Sequence, residues 1–157
     1  MIVGQAPGTR VHASGIPFDD PSGVRLRDWL GVTPEEFYDE ARVAILPMGF
    51  CFPGLNDKGA DLPPRRICAP TWRERLDPRF AAVKLKVLVG SYSQRWHLGA
   101  RGRESLTETV AHWRDYGPAF IPLPHPSWRN NAWLKRNPWF ERELLPVLRR
   151  RVREVLA

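Results

Sequence analysis

The chain has 157 residues, 43% of them hydrophobic, which suits a single domain spanning residues 1–157 with an ordinary core and leaves too little for two. Lysine and arginine number 24 against 17 acidic residues, and the net charge of +7 is carried almost wholly by arginine, whose guanidinium pairs bidentately with phosphate; a polyanionic partner is expected. No apolar run nears the roughly 18 residues that span a bilayer, and no secretory signal pattern opens the chain, so a cytoplasmic protein without membrane contact is expected.

Met1-Ile2-Val3 reads as the end of a first strand, and Gly4-Gln5-Ala6-Pro7-Gly8 as a tight turn whose backbone N–H groups can face a ligand. Residues 9–21 read as a polar loop. Ser22 is the expected cap of a helix through Leu30, stopped by Gly31. Thr33-Pro34-Glu35-Glu36 is a capping box with proline at the first helical position, opening a short helix to about Ala41. Val43-Ala44-Ile45-Leu46 reads as a second strand.

From Pro47 to Ala69 the hydrophobic period is lost in favour of glycine, proline and charge, a long excursion of the kind that carries function. Cys51 and Cys68 lie in it; two cysteines exclude a disulfide framework and do not complete a four-ligand metal site. A helix near residues 70–82 leads to Lys86-Val87-Leu88-Val89-Gly90, an apolar run suited to a strand covered on both faces. Ser91 is the expected cap of the next helix, ending by Gly99. Ser105-Leu106-Thr107-Glu108 is a second capping box, and Ala119-Phe120-Ile121-Pro122-Leu123 a further strand. Asn137-Pro138 opens a last helix with a stripe of Phe140, Leu144, Leu145, Leu148, Val152 and Val155, a kink at Pro146 and an arginine-rich outer face. Strands alternating with helices predict an α/β fold, a three-layer α/β/α sandwich around a short, mainly parallel four-stranded sheet.

Leu123-Pro124-His125-Pro126-Ser127-Trp128-Arg129-Asn130-Asn131 gathers an imidazole, a hydroxyl, an indole, a guanidinium and two amides in one stretch. Its prolines fix their own φ and restrict the preceding residues, so His125 sits on a stiff loop at a strand's carboxyl end, where open α/β sheets bind ligands.

Three strand-end stretches together resemble the uracil-DNA glycosylase superfamily. Gly4-Gln5-Ala6-Pro7-Gly8 is similar to its first motif and His125-Pro126-Ser127 to its second. Between them, Gly15-Ile16-Pro17-Phe18 and Arg27-Asp28-Trp29-Leu30-Gly31 resemble the single-strand-selective monofunctional branch, as does His125-Pro126-Ser127-Trp128-Arg129-Asn130, apart from Trp128 where that branch favours proline. Asp20-Pro21-Ser22-Gly23 resembles the stretch of the broad-specificity bacterial and archaeal branch that carries its catalytic aspartate.

The resemblance implies excision of uracil, and of other deaminated bases, from DNA by a monomeric, monofunctional enzyme. Breaking the glycosidic bond builds negative charge on the base and positive charge on the sugar. His125 is the expected donor to the base anion and Asp20 the expected carboxylate that orients water and faces the sugar. Gln5 and Ala6 would border the base and Phe18 would stack on it. The backbone of Gly4, Pro7 and Gly8, with Ser91 and Ser127, would hold DNA, and Trp128, Arg129 and Asn130 would fill the stack vacated by an extruded nucleotide. No lysine lies in the motif loops, so no Schiff-base nucleophile is expected.

The chain also departs from the family pattern. Ala6 stands where the best-known branch has a water-activating aspartate, and Pro47 where the iron–sulphur branch has a base-reading asparagine, which points to a looser pocket. Cys51 and Cys68 resemble the second ligand pair of that branch, whose first pair would precede residue 1. No cofactor is expected in this chain, and a [4Fe-4S] cluster only with upstream cysteines in a longer one. The alternatives are a noncatalytic binder of uracil-containing or damaged DNA, suggested by Ala6 and Pro47, and a nucleotide-binding enzyme, disfavoured because the glycine turn lacks the spacing and the lysine-serine ending of phosphate loops.

Overall fold

The computed structural model describes residues 1–157. Three parallel strands, β1 (Ile2–Val3), β2 (Lys86–Val89) and β3 (Phe120–Leu123), form a sheet in the order β1-β2-β3, with Ile2 opposite Val87 and Val87 opposite Ile121. Alternation along the strands sorts their side chains into two cores. Ile2, Val87, Val89, Ile121 and Leu123 face α2 (Pro21–Leu30), α3 (Pro34–Phe37), α6 (Leu106–Ala111) and α8 (Leu145–Leu156) in a cluster of 17 buried residues. Val3 and Leu88 point the other way, into a cluster of 5 buried residues with Met48, Leu98 and Tyr116, beside α5 (Ser91–Leu98). Most of the hydrophobic burial therefore lies on the α2–α8 side of an α/β/α sandwich. The remaining helices are α1 (Thr9–Ser14), α4 (Glu74–Leu76) and α7 (Asn131–Arg136), and no helix is long and apolar enough to cross a membrane.

The expected fourth strand is not formed. Residues 43–46 make a single bridge, Ile45 to Ile2, through Ile2 N–H to the Ala44 carbonyl at 2.8 Å and Leu46 N–H to the Ile2 carbonyl at 2.9 Å. The Leu46 carbonyl, which would serve the next rung, accepts instead from Arg73 Nη1 at 2.8 Å. The segment still runs beside β1 and its turn, because Met48 N–H reaches the Gly4 carbonyl at 3.0 Å and Gly49 N–H the Gln5 carbonyl at 2.9 Å.

Other boundaries also differ for local reasons. α2 begins at Pro21 and is capped by Asp20, whose Oδ1 accepts the Gly23 N–H at 2.8 Å, while Ser22 lies inside the helix. α3 stops at Phe37, after which Asp39 takes the Ala41 N–H at 3.0 Å and turns the chain. α5 is preceded by Gly90 at φ +86°, and Ser91 is its first residue, not its cap. The loop expected over 9–21 contains α1. The helix expected near 70–82 is broken into a wide π turn at Ala69–Arg73, α4 and a 3-10 turn at Asp77–Phe80, with Pro70 and Pro78 removing donors. Pro146 likewise follows a π turn, Phe140–Leu144, that widens the last helix before α8. The arginines of α8 are tied to the chain itself: Arg149 to the Asp28 carbonyl, Arg151 to Glu154, and Arg153 to Glu36 and the Gly31 carbonyl.

Arg73 is fully buried. Besides Leu46, it meets Asp77 at 2.6 Å and His97 Nε2 at 2.8 Å, so the excursion after residue 47 is anchored to α5 through one guanidinium. Burial, and then the adjacent Arg73 charge, hold His97 down to a pKa of about 4, where Nε2 can accept from Arg73. The unfolded chain binds a proton at His97 near pH 6.5 that the folded chain excludes, so this contribution to stability is present above that pH and is lost as pH falls toward about 4. Urea unfolding across this range should show that decline, and His97→Gln, which keeps an acceptor for Arg73 but does not titrate, should flatten it.

Candidate active site

The carboxyl ends of β2 and β3 meet at the loop that carries His125. Gly90 ends β2, and its N–H donates to the Leu123 carbonyl at 2.9 Å; the buried Gln94 amide donates to the same carbonyl at 2.8 Å and to Leu88 at 3.3 Å. Two strand ends are thus pinned together beneath the loop that carries the imidazole. A Cβ on Gly90 would stand 3.9 Å from both Cβ and Cδ2 of His125, and φ of +86° already reserves the position for glycine.

His125 is half-buried and held from its own loop. The Ser127 N–H donates to Nδ1 at 3.2 Å, and the Asn130 side-chain amide donates to the His125 carbonyl at 2.7 Å. Burial lowers its pKa, opposed by the charges of Asp20 and Asp61. The neutral ring that results accepts at Nδ1 and so carries its proton on Nε2, which makes it a hydrogen-bond donor. Asn130, expected among the DNA contacts, has its amide engaged in bracing this ring. Arg25 of α2 donates to the Ser127 carbonyl at 3.3 Å and joins the Asp20 side of the site to the His125 loop.

Phe18 and Asp20 come from the loop between α1 and α2. Phe18 has φ +57°, the single residue other than glycine in the left-handed region, a conformation that costs about 1–3 kcal/mol unless its surroundings enforce it. They do enforce it. The Tyr38 hydroxyl donates to the Pro17 carbonyl at 2.8 Å, Arg27 to the Phe18 carbonyl at 3.4 Å, and the Phe18 ring meets Phe37 edge-on with centroids 6.0 Å apart. The Phe18 carbonyl occupies the space a side chain at residue 23 would need, 1.7 Å from the Cβ position of Gly23. The ring tip lies 3.0 Å from the Cβ position of Gly4, so the first glycine turn and Phe18 are in direct contact.

In the turn itself, Gly4 is buried and Gln5, Ala6, Pro7 and Gly8 are half-buried. The Cβ position of Gly49 is 3.5 Å from the Ala6 methyl and 3.1 Å from Pro64, so the excursion folds back over the turn. Gly8 is the residue before α1, and a Cβ there would lie 3.3 Å from Oδ2 of Asp61. Asp61, exposed at this edge, was not singled out by the sequence, because the excursion carries no period that says which of its acids comes to lie against the turn.

Ser127 Oγ accepts the Arg129 N–H at 3.3 Å and starts the turn Trp128–Asn130. Trp128 is 70% exposed, with the Arg129 guanidinium 5.8 Å from its ring centroid. Ser91 is half-buried at the start of α5. Cys51 is exposed and Cys68 half-buried, both free thiols, and no group of three or more potential ligands gathers anywhere in the chain. Its own residues therefore do not form a four-ligand cluster site, and no step of chemistry is assigned to one.

Asp20 is both the cap of α2 and a member of this site, and the two roles separate by substitution. Asp20→Ala should lower unfolding free energy by roughly 0.5–2 kcal/mol, whereas Asp20→Asn, an equally good cap, should leave it nearly unchanged in urea titrations.

A neutral imidazole donor, a carboxylate with one oxygen free of the helix, a constrained aromatic ring and an exposed indole beside a guanidinium are all borne on loops at one end of a parallel sheet. The family model of the uracil DNA glycosylase superfamily matches residues 1–149. The chain belongs to the uracil-DNA glycosylase superfamily, a family of DNA repair glycosylases.

Proposed function

We propose that this protein is a monofunctional glycosylase that hydrolyses the N-glycosidic bond of uracil, and of other deaminated bases, in DNA and leaves an abasic site. The observation that carries this reading is the state of His125: its Nδ1 is occupied by the Ser127 N–H, and burial disfavours its charged form, so a preorganised Nε2–H is available to a developing base anion.

In the reaction the C1′–N bond breaks with its electron pair passing to the base, where His125 donates to the oxygen that gathers the charge. The cation-like sugar is faced by Asp20 through Oδ2, Oδ1 being held by the Gly23 N–H. Water adds to C1′ and releases a proton to a carboxylate. Phe18, fixed against Gly4, supplies a flat apolar surface for the base. Trp128, exposed beside Arg129, suits the gap left when the nucleotide is extruded, a step that costs a few kcal/mol. Gly4, Pro7, Gly8, Ser91 and Ser127 border this path and serve DNA in the same reading.

Ala6 and Pro47 offer no polar side chain to a pyrimidine edge, which favours a pocket broader than one for uracil alone. The same Ala6 motivates the second reading, a noncatalytic binder of damaged DNA. We also propose that the protein acts as a monomer in the cytoplasm.

Single-turnover assays on oligonucleotides containing uracil, hypoxanthine or xanthine, followed by alkaline cleavage, decide between the two. Base release by the wild type, reduced about 10²–10³-fold in His125→Ala, is the expected result. Tight binding with no release from any of these substrates identifies a binder instead.

A further inference from the structure

The excursion from Pro47 to Ala69 contains a small closed hairpin. Leu62 N–H donates to the Gly54 carbonyl at 2.9 Å and Asn56 N–H to the Ala60 carbonyl at 2.8 Å, while Asn56 Oδ1 accepts from Lys58 and Ala60. Gly54 and Gly59 turn it at φ of +98° and +69°. The segments that flank the hairpin pack on the start of the chain, Gly49 against Ala6 and Pro64, and Phe52 stacked on His12 of α1 with centroids 5.3 Å apart. Asp61 is its residue opposite Leu55, and its carboxylate abuts Gly8.

None of the chain's ion pairs includes Asp61. A carboxylate without a cation, set by a hairpin against a turn whose own residue 6 is alanine, is placed to do what that alanine cannot. Asp20, by contrast, already has one oxygen engaged by its helix. We propose that Asp61 is the second catalytic carboxylate, holding the attacking water over the Gly4–Gly8 turn and accepting its proton, while Asp20 faces the sugar.

The inference rests on the glycosylase reading above. In the step it assigns, the water oxygen bonds to C1′ as the C1′–N bond breaks, the bonding pair stays on the departing base beside His125 Nε2–H, and the water proton passes to the Asp61 carboxylate and then to solvent. The charge of Asp61, like that of Asp20, acts on His125. The charge of Asp61 would also favour the imidazolium form and so keep burial from depressing His125 further.

The test compares Asp61→Asn, Asp61→Ala and, as a control on the same hairpin, Asp57→Asn in single-turnover base release, with thermal melts and an NMR titration of His125 alongside. Asp61→Asn should release base at least about 10-fold more slowly, with an unchanged melt and a lower His125 midpoint, and Asp57→Asn should match the wild type. Added formate should restore part of the rate of Asp61→Ala, which a purely structural role would not allow. Wild-type rates in Asp61→Asn, with Asp20→Asn and His125→Ala both impaired, overturn this inference and leave the glycosylase reading standing. Slow release by Asp61→Ala that formate leaves unchanged also overturns it. No release by the wild type from any substrate overturns both.

Discussion

One hydrogen bond decides the chemistry open to this protein: the Ser127 N–H on Nδ1 of His125. It fixes which nitrogen carries the proton and thereby turns a residue that could serve as acid, base or ligand into a neutral donor with one direction. Much of the surrounding architecture serves to keep that bond in place. Pro124 and Pro126 stiffen the loop, Asn130 holds its carbonyl, Arg25 ties it to α2, and Gln94 with Gly90 fixes the strand ends below. Because the ring is half-buried, it can donate without being charged, and a neutral donor stabilises a base anion without first attracting the anionic backbone.

The site gathers around this ring from loops that follow different strands, which is what a parallel sheet permits. β1 delivers the glycine turn, β2 delivers Gly90 and α5, and β3 delivers His125 itself. The sheet is short, and its fourth member is reduced to one bridge, beyond which the Leu46 carbonyl accepts from Arg73. The excursion that follows is anchored at its root by Arg73 and by the Met48 and Gly49 bonds to the glycine turn, and it folds over that turn with Asp61 against Gly8.

How far the sequence disclosed this depends on whether a feature repeats or is bounded by local chemistry. The three strands, both capping boxes and the apolar stripe of the last helix were legible because each is a periodic or two-ended signal. The paired prolines around His125 and the glycines of the first turn likewise act over a few residues, and the match over residues 1–149 agrees with the family read from those motifs. Ser22 and Asp20 are both residue types that cap helices, and only the position of Pro21 at the first helical residue separates them. Asp61 was hidden for a different reason. Its placement depends on how a 23-residue stretch from Pro47 to Ala69, without period, packs on a turn some fifty residues earlier, and no local rule encodes that. The arginines of α8 invite a nucleic-acid reading by composition, yet Arg149 and Arg153 close the corner between α8 and α2–α3, and Arg151 pairs with Glu154 of its own helix.

The missing side chain at residue 23 sets a limit on how this pocket can be retuned. Because the Phe18 carbonyl fills that space, the start of α2, the aromatic platform and the Asp20 carboxylate form one mechanical unit. Reshaping is therefore confined to what lies outside this unit, such as the segment of residues 49 and 64 that folds over Ala6. Any change of shape would come from the walls, since the floor admits no added atom.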